Sequence, residues 1–77
     1  MTPYSREDAA RRARFAENEA EHWRTELRER ERFAEEATTD ADRVAALGCA
    51  HVARSRVARA LEDADLYRRI ARGEPLA

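Results

Sequence analysis

Small apolar residues recur along this chain at alternating steps of four and three. Ala9, Ala13, Ala16, Ala20, Trp23, Leu27, Arg30, Ala34 and Ala37 form one such series, and Ala46, Ala50, Ala53, Val57, Ala60, Ala64, Tyr67 and Ala71 form a second. A mean period of 3.5 residues keeps one stripe of a helix turned toward a neighbour over many turns, in a left-handed supercoil. Strands alternate with a period of two and do not produce it. Alanine at most seam positions lets two helices approach closely, while Trp23, Leu27, Val57 and Tyr67 supply bulk. Arg30 is the ionic exception, and it has to snorkel to water or find a carboxylate.

Helix boundaries follow from the flanking residues. Ser5-x-x-Asp8 has the form of a capping box, with the Ser hydroxyl accepting from a free amide and Asp8 reaching back. From Arg6 to Thr38 there is neither Gly nor Pro. Thr38-Thr39-Asp40 is the break: two β-branched residues lower helix propensity, and Thr39 or Asp40 can cap a new start. The spacing therefore predicts helices over about residues 6–38 and 41–72, with Gly73 as a left-handed cap and Pro75 discouraging continuation. So short a connection makes the helices antiparallel neighbours. The expected fold is all-α: residues 1–77 form a single coiled-coil-like antiparallel two-helix hairpin, with residues 1–4 and 73–77 as flexible ends. A solitary charged helix would explain pairs such as Glu7–Arg11 but not two seams, and a break at Gly48 lacks a capping residue directly after it.

With the turn near residue 39, residue i lies roughly across from residue 79−i. Residues 18–36 carry seven Glu against four Arg, whereas residues 43–61 carry Arg43, Arg54, Arg56 and Arg59 and no acid. Opposite charges flanking one seam favour this register, at roughly 0–1 kcal/mol per exposed pair.

One seam does not use all the apolar residues. Ala41, Ala45, Gly48, Val52 and Ser55 form a second small-residue row, and Phe15, Phe33, Val44, Leu47, Leu61, Leu66 and Ile70 lie off the first seam. Isolated hairpins of this size are marginal. The expected remedy is self-association into a homodimeric four-helix bundle, with the row from Ala41 to Ser55 as its interface. Gly48 weakens a helix by about 1 kcal/mol relative to Ala, and a close crossing there would offset that loss.

The other chemistry is sparse. Glu19-x-x-His22 has the ligand spacing of ferritin-like di-iron bundles, but the acids of helix 2 lie about a turn away. Cys49 and His51 point about 160° apart on a helix and cannot share an ion. No phosphate loop or Ser-His-Asp set is present, so no enzyme activity and no cofactor are expected. Arg54, Arg56 and Arg59 could contact nucleic acid; the competing expectation is that they pair with the glutamates of helix 1. Val44 to Gly48 and onward to Val57 has some helix-turn-helix character, but Arg43 and Arg54 occupy positions that motif keeps apolar. Of the 15 basic residues all are Arg, and the net charge is −1, which excludes a polybasic tail. One Cys, no apolar run of membrane-spanning length and a start unlike a signal peptide lead us to expect a cytoplasmic protein. The function expected is a non-enzymatic, homodimeric interaction module that binds a partner protein through helix faces. Its alternatives are a nucleic-acid accessory protein using Arg54, Arg56 and Arg59, and a metal-binding hairpin using Glu19 and His22.

Overall fold

The computed structural model describes residues 4–75, with two helices, α1 (Arg6–Glu36) and α2 (Asp40–Ala71), packed against each other and joined by residues 37–39. Parts of the sequence's two expected ends, residues 1–3 and 76–77, lie outside the described residues. Both helices begin at side-chain caps. The Ser5 hydroxyl accepts from the Asp8 amide at 3.1 Å, and the Thr39 hydroxyl accepts from the Asp42 amide at 3.1 Å. The reciprocal half of the first capping box is not made, because the short Asp8 carboxylate pairs with Arg11 instead.

Helix α1 stops two residues earlier than the sequence suggests. Glu35 and Glu36 place negative charge at the negative end of the helix dipole, and its last turn holds no basic residue. Ala37 is already extended (φ −62°, ψ 134°). Thr39 then serves as the cap of α2, which moves that start forward to Asp40. At the far end Gly73 adopts φ 76°, its amide donates to the Ile70 carbonyl at 2.9 Å, and the Glu74 amide donates to the Arg69 carbonyl at 3.0 Å. This is a Schellman closure, and it uses the glycine's freedom at positive φ.

The pairing is antiparallel in the expected register. The Arg12 guanidinium sits 5.9 Å from the Tyr67 ring centre, Arg56 sits 4.7 Å from the Trp23 ring centre, and Arg6 lies beside Gly73. In each pair the two residue numbers add to 79. Every residue of both seam series is buried or half-buried. Arg30 finds its carboxylate one turn away on Glu26, at 3.7 Å. Tyr4 belongs to an end that the sequence leaves loose, yet it packs edge-on against Tyr67, with ring centres 5.6 Å apart, under Arg12.

The hairpin is a rod of 53 × 20 × 14 Å. Its radius of gyration of 16.7 Å compares with about 11.5 Å for a compact chain of this length. Among the described residues the buried side chains are nine alanines and Ile70, and no larger side chain is fully enclosed. Ile70 corrects the sequence reading, which left it outside the seam. It follows Tyr67 by three residues, which puts it on the inward face of α2 beside the seam, and it is 7% exposed.

Candidate interaction surface

A groove runs along one side of the hairpin, because two alanine-lined helices meet closely and their larger neighbours stand up as walls. On α1 the wall is Arg12, Phe15, Glu19 and Glu26; on α2 it is Cys49, Arg56 and Asp63, together with the adjacent row Ala45, Val52 and Arg59. Two hollows lie along it. One, of about 360 Å³, has Ala16 and Ala60 at its base and Arg12, Glu19, Arg59, Asp63 and Tyr67 around it. The other, of about 400 Å³, is bounded by Glu26, Arg30, Ala45, Gly48, Cys49 and Val52. Trp23 borders both, and its ring carries the Arg56 guanidinium. A third, shallower hollow on another side is lined by Glu31, Ala34, Glu35, Arg43 and Leu47.

The large apolar side chains that the seam cannot use are in water. Phe15 is 67% exposed and Val44 69%, and Phe33, Leu47, Val52, Leu61 and Leu66 are exposed too. Ala41, Ala45, Gly48, Val52 and Ser55 are all exposed, and Ala45, Gly48 and Val52 border the second hollow while Ala41 and Ser55 do not. A methyl group added at Gly48 would meet nothing within 4 Å. The hairpin itself therefore has no close crossing at this residue.

The charges are arranged differently from the sequence expectation. Arg54, Arg56 and Arg59 do not pair with glutamates of α1. Arg56 stacks on Trp23, Arg59 pairs with Asp63 in its own helix at 3.7 Å, and Arg43 pairs with Asp40 at 2.9 Å. Among the described residues one ion pair crosses between the helices, Glu17 with Arg68 at 3.2 Å. For Arg43 and Arg59 the reason is local: acids three or four residues away in the same helix hold them at less entropic cost than acids across a groove. Arg56 and Arg59 border the groove and Arg54 does not, so the three arginines do not share one surface.

Glu19 is half-buried at the groove, whereas His22 is exposed and packs edge-on against Trp23, with ring centres 4.9 Å apart. Cys49 and His51 are both exposed. Among the described residues no three of His, Cys, Asp or Glu gather in a way that could hold a metal ion, and no described helix is long and apolar enough to cross a membrane. Sequence reasoning missed the groove. Its signal was present in the seven-residue rows beside the alanine seam, which set Arg12, Glu19 and Glu26 on one helix and Arg56 and Asp63 on the other. In comparisons with known proteins, the chain matches no family model, no curated protein and no solved structure.

Proposed function

We propose that this chain is a non-enzymatic interaction module, a homodimer of helical hairpins that binds a partner protein through a remaining helix face. One observation carries the reading: among the described residues the enclosed side chains are alanines and a single isoleucine, while seven large apolar side chains stay exposed. Each large residue moved out of water contributes roughly 1.5–3 kcal/mol, and the seam has no room for them. The accessible surface is 5785 Å², against about 4,800 Å² for a compact monomer of this mass. The excess is close to the ~800 Å² that each partner loses in a standard interface. Two-fold association buries each such residue in two copies without lengthening the chain. The side bearing Leu47 is then left for the partner protein. Nucleic acid is the weaker occupant, because Arg56 and Arg59 share the groove with Glu19, Glu26 and Asp63, whose charge repels phosphate.

Molar mass by light scattering at micromolar concentration tests the association. The expected mass is twice the 8.9 kDa of one chain, and a mass near that of one chain would refute the reading. Gly48→Leu adds a branched side chain beside the second hollow while improving helix propensity. Loss of mass with retained helicity would place Gly48 in the interface.

A further inference from the structure

From the charges along the groove we infer how the second copy is seated: across the groove, with the two-fold axis along the rod, and α1 of each hairpin over α2 of the other. This rests on the homodimer reading above and specifies its face and register. On the groove side the middle of α1 presents Glu19 and Glu26, and the middle of α2 presents Arg56 and Arg59. These walls are not joined within the hairpin, whose single crossing ion pair among the described residues is Glu17–Arg68. The α1 wall also carries Arg12 and Arg30, and the α2 wall Asp63, so both walls are mixed. The α1 glutamates match the α2 arginines and Arg12 matches Asp63, which makes the groove complementary to itself.

Two faces can meet about a two-fold axis that lies between them, either along the rod or across it. An axis across the rod at the level of Trp23 and Arg56 lays α1 on α1, brings Glu19 beside Glu26 of the second copy, and sets Arg56 on its own copy. An axis along the rod lays α1 on α2 and keeps every residue at its own level. Because level partners add to 79, as Trp23 and Arg56 do, Glu19 then meets Arg59 of the second copy, one residue from level. Glu26 comes within a turn of the second copy's Arg56. In the row facing Glu19 and Glu26 stand Arg59 and Val52 of the other copy. Helices that face one another across the interface also run antiparallel, as they do inside each hairpin.

Charge exchange tests the register. Glu19→Arg sets arginine against Arg59 in both symmetry-related contacts, and Arg59→Glu sets glutamate against Glu19. Each is expected to weaken dimerisation about tenfold, from the usual worth of exposed pairs, with helicity unchanged by circular dichroism. An equimolar mixture of the two variants is the deciding arm. In a dimer of either variant with itself the level charges repel. In the mixed dimer the two substituted positions face each other with opposite charges, and the unsubstituted Arg59 of one chain faces the unsubstituted Glu19 of the other. Dimer mass recovered by the mixture, at a concentration where each variant alone is a monomer, supports the register. A dimeric wild type whose association neither variant weakens, or whose variants do not recover on mixing, overturns the register and leaves the homodimer standing. A monomeric wild type overturns both and leaves the groove to another protein.

Discussion

Ala64 has 0% of its surface exposed and lies in the seam on α2, between Ala60 and Tyr67. Replacing it with leucine keeps a strong helix former in place, so the change acts on packing alone. Three extra carbon atoms have no space where the two helices meet, and overpacking of this kind destabilises by about 1–3 kcal/mol. For 77 residues the unfolding entropy is about 0.16 kcal/mol/K, which converts that loss to a melting temperature lower by roughly 6–18 °C. Ala58→Leu is the internal control. It makes the same substitution six residues earlier on the same helix, at an exposed position, and is expected to shift the melt by less than about 3 °C, as surface changes do. Thermal melts followed by circular dichroism, all at one protein concentration because association raises apparent stability, make the comparison. If Ala64→Leu melts at or above the wild type, the seam has slack, and alanine is not there to bring the helices close.

Three further outcomes are expected. Ser5→Ala and Thr39→Ala each remove a cap bond and should each destabilise by about 1 kcal/mol. They sit at opposite ends of the rod, so their effects on the melt should add. Gly73→Ala forces a side chain onto φ 76° and against the Arg6 guanidinium, so it should destabilise by about 1 kcal/mol or more and speed amide exchange in the last turn of α2. Arg56→Ala removes the cation from the Trp23 ring and should lower stability by roughly 0.5–1 kcal/mol, while Arg54→Ala should be near neutral. A steep salt-dependent gel shift that the double substitution abolishes would instead move the arginines to a nucleic-acid role.

The regular part of the fold was legible because it depends on spacing and local signals. The two seams follow from where small residues recur, the turn from β-branched Thr38 and Thr39 with their capping chemistry, and the register through Trp23 and Arg56 from the turn. Contacts that depend on competition between partners were not legible. Asp8 had two options, the Ser5 amide and Arg11, and its short side chain decided for Arg11. Arg59 had Glu19 across the groove and Asp63 one turn along its own helix, and it took the nearer. Ile70 lies outside the 4-3 steps, which run from Tyr67 to Ala71, yet it is buried, because a position three residues from a seam residue also turns inward. For the candidate surface, Ala45, Gly48 and Val52 were found from their row, but the groove beside them belongs to both helices at once.

Packing alanine on alanine has a consequence for the whole molecule. Close approach brings backbones together and enclosed side chains become small, so each buried position contributes little apolar area. Larger residues are then displaced to the flanks, where Phe15 and Val52 stand exposed beside Glu19, Glu26, Arg56 and Arg59. A seam that makes the hairpin narrow therefore also makes its sides apolar, and stability not available inside one hairpin becomes available between two. Folding and association are linked by the same substitution pattern: enlarging seam alanines would part the helices and flatten the groove, and filling the groove would leave the seam intact while separating the copies. The residues between these two effects are Trp23 and Arg56, which close the seam from above and divide the groove from below.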